Sequence, residues 1–168
     1  MKNTNNRGMF LESIINKTNE FYLLNKMALI HKKNLDIKFK GIDLVNKQFQ
    51  LKDATIKSKS TVDYYGVFNG RFLAFEAKST EEKNFTLYNI KKHQIEYLDQ
   101  INFYGGLAFW IIYFSEQNTF YFIWHTDFKE AILNKKTLTY AKVEKIGILL
   151  KLDFPGILDY LWPIKNKV

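Results

Sequence analysis

The stretch Asp63-Tyr64-Tyr65-Gly66-Val67-Phe68-Asn69-Gly70-Arg71-Phe72-Leu73-Ala74-Phe75-Glu76-Ala77-Lys78 decides how this chain folds. Asn-Gly between two runs rich in aromatic and apolar residues predicts a tight β-hairpin, because both central residues of the turn need positive φ. With Asn69 and Gly70 as a two-residue loop, opposed residues carry numbers that sum to 139. Asp63 then faces Glu76, and Thr61 faces Lys78 one step further along the same face. On the second strand Phe72, Ala74, Glu76 and Lys78 share one side, while Leu73, Phe75 and Ala77 share the other and are expected to be buried.

Opposed Cβ atoms in an antiparallel pair lie roughly 4.5–5.5 Å apart, and like charges there repel. A cation such as Mg²⁺ would relieve the repulsion, since it is held by one or two carboxylates together with waters and substrate phosphate. So would a raised carboxyl pKa, or exposure of both acids on an ordinary surface hairpin. The string Glu-x-Lys alone is weak, because Glu81-Glu82-Lys83 fits it too within a polar loop. Register and strand face set Glu76 and Lys78 apart. Together with Asp63 they are the set a metal-dependent phosphodiesterase needs. Two acids hold a cation that polarises the phosphoryl group and acidifies water, and a lysine stabilises the charge that develops.

With 168 residues, 46% hydrophobic and 25% charged, the chain suits one domain, residues 1–168, with a sizeable core. It has no cysteine, which excludes disulfides and Cys-based zinc sites and permits a reducing cytoplasm. The N-terminus lacks the apolar core of a signal peptide. The longest apolar run, Leu107–Phe114, is too short to span a bilayer. Net charge is +8 and uneven: residues 1–60 hold 12 Lys/Arg against 5 Asp/Glu, and the remainder holds 13 against 12. That asymmetry points to a polyanion such as nucleic acid and away from a membrane. A composition that is simply lysine-rich is the plain alternative.

Elsewhere, apolar spacing predicts a helix over residues 8–25 carrying Glu12, then a strand over 27–30 running into His31-Lys32-Lys33. Residues 35–60 alternate Ile37 and Phe39 with Lys38 and Lys40, then Phe49 and Leu51 with Gln50 and Lys52, around a turn at 43–47. They predict a lysine-bearing two-stranded ribbon that projects from the body, or else a surface loop. Residues 80–88 read as irregular, 89–103 as a helix ended by Gly105-Gly106, and Leu107–Phe114 with 120–124 as a strand pair. Asp127 and Glu130 suit a capping box on a helix at 127–133. A basic connector at 135–142, a strand at 146–152 and a closing helix at 155–162 follow. The order predicts an α/β fold, a mixed sheet flanked by helices. Gln94 and Glu12 read most simply as surface residues, and His31, His93 and His125 show no metal-ligand spacing.

Five blocks in order then resemble one family. They are Asn6-Arg7-Gly8-Met9 with Leu11-Glu12, Ile30-His31-Lys32-Lys33, Ser60-Thr61-Val62-Asp63-Tyr64, Phe75-Glu76-Ala77-Lys78 and His93-Gln94-Ile95-Glu96. This succession is similar to that of the RecU Holliday-junction resolvases, over about residues 5–165. The resemblance implies a restriction-endonuclease-like core, a homodimer, and Mg²⁺-dependent (or Mn²⁺-dependent) paired nicking of four-way junction DNA that leaves 5′-phosphate and 3′-hydroxyl ends. It implies metal binding at Thr61, Asp63, Glu76 and Gln94, with Lys78 stabilising the transition state. It makes the ribbon at 35–60 a stalk for the junction centre, and Arg7, Lys32 and Lys33 phosphate contacts; Lys38 and Lys40, on the lysine-bearing ribbon, are further expected DNA contacts. A host recombinase is a further expected partner. Val62 stands where the wider nuclease motif has proline. Two other readings stay open: a non-catalytic junction-binding or recombinase-modulating protein that keeps the fold, and a nuclease for linear duplex.

Overall fold

The computed structural model describes residues 5–58 and 61–165, and side chains from 8 to 56 and from 61 to 165. In chain order come α1 (Asn5–Leu24), β1 (Leu29–Lys32), β2 (Asp36–Lys38), β3 (Gly41–Val45), β4 (Gln48–Lys52), β5 (Thr55–Ser58), β6 (Tyr64–Phe68) and β7 (Arg71–Thr80). Next are β8 (Asn84–Thr86), α2 (Lys92–Phe103), β9 (Leu107–Phe114), β10 (Thr119–Trp124), α3 (His125–Ile132), β11 (Thr137–Thr139) and α4 (Tyr140–Ile146). The chain closes with β12 (Ile148–Leu150), β13 (Leu152–Asp153), β14 (Ile157–Leu158) and α5 (Trp162–Lys165).

Six strands form a mixed sheet in the order β1-β6-β7-β9-β10-β12. Only β7 and β9 run parallel, and α2 supplies the crossover that such a pair requires. The β6–β7 hairpin pairs Tyr64 with Phe75 and Phe68 with Arg71, the register expected from the turn. Asn69 and Gly70 take φ of 48° and 74°. On β6, Gly66 faces the backbone of β1 so closely that a Cβ would lie 2.1 Å from the Leu29 carbonyl oxygen. Any side chain there would push the edge strand away.

Strand periodicity divides the core into two layers. Leu107, Phe109, Ile111 and Tyr113 of β9 join Leu73 and Phe75 beneath α1 and the C-terminal segment. Ala108, Trp110, Ile112 and Phe114 face the other way, beneath α2, α3 and α4. A strand buried on both faces has no polar alternation to show, which is why Leu107–Phe114 is one apolar run. Helix α1 buries Leu11, Ile14, Ile15, Thr18, Asn19 and Tyr22, the i, i+3, i+4, i+7 stripe of an amphipathic helix. Its two buried polar residues are satisfied by the C-terminal segment: Thr18 Oγ1 accepts from the Leu158 amide at 3.0 Å, and the Tyr160 hydroxyl donates to Asn19. Lys26, at φ 55°, ends the helix in the left-handed region, with Met27 N–H bonded to Tyr22 O and Lys26 N–H to Leu23 O.

Several expectations need correction. Residues 80–88 are not wholly irregular and 135–142 is not a plain connector, because β8 pairs with β11. The helix expected from residue 89 starts at Lys92, after a 3-10 turn at Leu87–Asn89. No side chain caps α3, which begins at His125, so Asp127 and Glu130 form no capping box. In place of a helix at 155–162 the chain forms β14 and the short α5, because Ile157 and Leu158 pair with β13 beside α1.

Among the described residues the ribbon strands pair with one another alone, β2 with β5 and β3 with β4. Its turn is narrower than residues 43–47: β3 runs on to Val45, and Asn46 and Lys47 alone turn, at φ 51° and 64°. Ile42 opposes Leu51 and Leu44 opposes Phe49, so four apolar side chains share one exposed face.

Candidate active site

Hairpin geometry brings the acid pair together with the lysine. Glu76 is 0% exposed on β7, and its Oε2 accepts from Lys78 Nζ at 2.6 Å. The same ammonium lies 3.4 Å from Asp63 Oδ2, which also accepts the Ala77 N–H at 3.1 Å. Asp63 stands just before β6, where the Lys33 N–H bonds its carbonyl oxygen at 2.8 Å and carries the edge strand past it. A cavity of about 210 Å³ opens on Asp63, Lys78 and Ser79 and is walled by Gly8, Leu11, Glu12 and Lys32.

Gln94, in the first turn of α2, is buried, not a surface glutamine. Its Oε1 accepts the Lys91 N–H at 3.0 Å, and its Nε2 donates to Glu76 Oε2 at 2.7 Å. One side chain thus caps the helix and fixes the rotamer of the buried acid. Thr61 Oγ1 accepts from Lys33 Nζ at 2.9 Å, and that ammonium lies 5.9 Å from the centre of the Tyr97 ring.

Electrostatics follow from burial. Desolvation, then the Asp63 carboxylate, push Glu76 up to about 8 against the pull of Lys78. Burial alone would lower Lys78, but Glu76 and Asp63 outweigh it and hold the ammonium above its ordinary value. The other Glu76 oxygen, Oε1, is buried without a hydrogen-bond partner. A buried acceptor left unpaired costs roughly 1–3 kcal/mol, more when charged. Among the described residues no three His, Asp or Glu side chains form a metal cage. Two carboxylates and the Thr61 hydroxyl offer hard oxygens, which suit an ion that completes its shell with water and phosphate, whereas Gln94 commits its amide oxygen to the Lys91 N–H and turns its amide nitrogen to Glu76.

The basic residues divide. Lys32 pairs with Glu12 at the mouth of the cavity, and Lys33 turns inward to Thr61. Lys38 and Lys40 lie out on the exposed ribbon, Lys40 at 3.3 Å from Asp53. The Arg7 side chain is outside the described residues. Glu12, read from sequence as a solvated helix residue, lines the cavity. The signal available for it was its place beside Leu11 and Ile15 on the buried stripe of α1, at the edge of that stripe. Among the described residues no helix is long and apolar enough to cross a membrane.

Fold and site together define an α/β protein in which the Lys78 ammonium bridges the carboxylates of Asp63 and Glu76, beside a cavity that Asp63 and Lys78 line. A family model described as Recombination protein U, RecU, matches residues 6–166. The chain belongs to the RecU family. It is 40% identical over 163 residues to a Holliday junction resolvase RecU of Mycoplasmopsis pulmonis, covering 97% of this chain and 96% of that one. It is 34% identical over 164 residues to the protein of the same name in Bacillus subtilis, covering 93% and 78%. A solved structure of Hjc, a Holliday junction resolvase of Archaeoglobus fulgidus, aligns over 79% of this chain and 93% of that one, at 12% identity and a TM-score of 0.44. That likeness is distant, and family membership rests on the sequence relatives.

Proposed function

We propose that this chain is a Mg²⁺-dependent endonuclease, with Mn²⁺ as a substitute ion, that resolves four-way DNA junctions by paired symmetric nicks. The observation that carries the reading is the single ammonium of Lys78 reaching both Asp63 and Glu76 at an open cavity, in a member of the RecU family. Asp63 and Glu76 would hold the ion, with Thr61 and Gln94 as further ligands or partners through water. When bound, Mg²⁺ would polarise the phosphoryl group and acidify a water.

The chain's own residues do the rest. Gln94 holds Glu76 in one rotamer, so Oε1 stays free of competing donors. Lys78, kept charged by its two acids, orients the attacking water and meets the charge that develops on phosphorus oxygens. Its short contact with Glu76 leaves it little freedom, and such preorganisation lowers the cost of reaching the transition state. The surplus of lysine in residues 1–60 favours DNA by counterion release. Exposed ion pairs such as Lys40–Asp53 contribute only about 0–1 kcal/mol, so phosphates can replace the carboxylates at little cost.

An open four-way junction has two-fold symmetry, so a homodimer sets two such cavities on symmetry-related strands, and paired nicks follow. Recognition would be of shape more than base edges, with the ribbon as the part that enters the junction. The setting is the cytoplasm, beside the recombination machinery. The test is nicking of a synthetic four-way junction in Mg²⁺, with EDTA as control and linear duplex as competitor. Paired junction nicks that vanish in EDTA support the reading. Tight junction binding with no nicking in Mg²⁺ or Mn²⁺ would make the chain a non-catalytic binder, and equal cutting of linear duplex would make it a general nuclease.

A further inference from the structure

Between β8 and α2 the chain makes a 3-10 turn, Leu87–Asn89, whose outward residue has no part in the core. Leu87 and Ile90 on either side pack into the layer beneath α2. The Leu87 N–H bonds Lys136 O at 3.0 Å, and the Ile90 N–H closes the turn onto Leu87 O at 3.0 Å. With its neighbours drawn inward, Tyr88 stands 84% exposed. Lys91 Nζ lies 5.4 Å from the centre of its ring. The Lys91 backbone is in turn the group that Gln94 caps, and Gln94 bonds Glu76. The Lys91 backbone is therefore tied to Glu76 through two hydrogen bonds, and its ammonium is set against the Tyr88 ring on the turn just before α2.

We infer that Tyr88 and Lys91 hold the DNA strand beside the scissile phosphate: the ring stacks on a nucleotide flanking the cut, and the ammonium meets a neighbouring phosphate. The inference rests on the nuclease reading above and adds the residues that seat the substrate. Three physical points favour a nucleotide as the occupant. Aromatic side chains bind single-stranded or unstacked bases through their faces, tolerant of sequence. A tyrosine on a fixed turn loses little freedom on stacking, unlike one on a mobile loop. The Lys91 ammonium is set against the ring, so the site as a pair carries positive charge. Neither side chain is needed to build the fold, since what anchors the turn is backbone bonding and the two inward apolar residues.

Two measurements test this. Junctions carrying 2-aminopurine at successive positions along an exchanging strand, bound in EDTA, read stacking without cleavage. One position should be quenched by the wild-type protein and by Tyr88→Phe, and that quench should be lost with Tyr88→Ala. In Mg²⁺, Tyr88→Ala should lower kcat/KM for junction nicking about tenfold, mostly through KM, at an unchanged melting temperature. Lys91→Ala should weaken binding several-fold and reduce the salt slope by about one. Tyr88→Ala that quenches and nicks as wild type does would overturn the inference. A wild-type protein that never nicks would instead remove the nuclease reading, and the quench in EDTA would still decide whether Tyr88 stacks.

Discussion

Two hairpins in this chain use one turn device and end in opposite states. Asn69-Gly70 joins β6 to β7, and Asn46-Lys47 joins β3 to β4, each with two positive φ values. In the first, alternate residues disappear beneath α1, and the residues between them include Glu76, buried against Gln94 of α2, and Lys78, which meets it at the cavity. In the second, Ile42, Leu44, Phe49 and Leu51 share a face that remains exposed, Phe49 at 81%. The turn fixes register in both. Burial is decided by what lies over the strands, and among the described residues the ribbon strands pair with each other alone and leave that face exposed. The site hairpin can therefore impose desolvation on a carboxylate, while the ribbon can only present side chains.

The largest difference should appear on substituting charged residues in the two hairpins. Lys78→Ala should lower junction nicking by about 10²–10³-fold while binding stays within about twofold. Lys52→Ala, whose ammonium only meets Asp43 at 4.0 Å in the open, should alter nicking by less than about threefold. A Lys78→Ala protein that lost binding, but whose remaining complexes cut normally, would remove the role assigned to that lysine.

Glycine offers the next contrast. Gly66→Ala places a Cβ against the β1 backbone and should cost about 3 kcal/mol in denaturant unfolding, at the upper end for overpacking. Gly41 in the ribbon has no atom within 4 Å of such a Cβ. Gly41→Ala should leave stability unchanged or raise it by up to about 1 kcal/mol, since glycine in a strand is entropically costly. Equal destabilisation would mean that the ribbon packs against more than itself.

Removing the ribbon asks what it does. Joining Lys40 to Asp53 through Asn-Gly, in place of residues 41–52, should shift the melting temperature by only a few degrees, because little apolar area is buried there. Junction nicking should fall about tenfold or more, and linear-duplex binding much less. Equal losses on both DNAs would reduce the ribbon to a surface loop.

How much of this was legible in sequence follows the same division. The hairpin register needed only Asn-Gly and a period of two, both local. The apolar run of β9 announced a strand covered on both faces. The ribbon's existence was visible in alternation, but its turn was set too wide because Asp43, a polar residue, sits in strand β3. Strands β8 and β11 escaped notice because each has three residues and finds its partner some fifty positions away. The C-terminal segment read as helical because Ile157, Leu158 and Leu161 have helical spacing, yet its polar partners on α1 hold it extended. Glu12 and the inward turn of Lys33 depend on α1 and β1 meeting the site hairpin, which no window of sequence contains.

The smallest effect lies in the core that the ribbon lacks. His125 is 1% exposed: its Nδ1 accepts the Trp110 Nε1–H at 3.0 Å, and its Nε2 faces Asp99 Oδ1 at 3.1 Å. That pairing suits the neutral ring, with its proton on Nε2. A second proton on Nδ1 would confront the indole N–H. Burial accordingly lowers the His125 pKa, although Asp99 pulls the other way, and Lys129 beside Asp99 adds to the lowering. Because the folded value lies below the unfolded one, the unfolded chain gains the proton first, and stability falls as pH drops below about 6.5. His125→Gln should be less stable near pH 7.5, yet lose less between pH 7.5 and 5.5, so its deficit narrows on acidification. The ribbon-shortened protein should keep the wild-type slope. If His125→Gln also kept that slope, the acid sensitivity would belong to other groups, and the contrast between a desolvating core and a merely displaying ribbon would lose its pH signature.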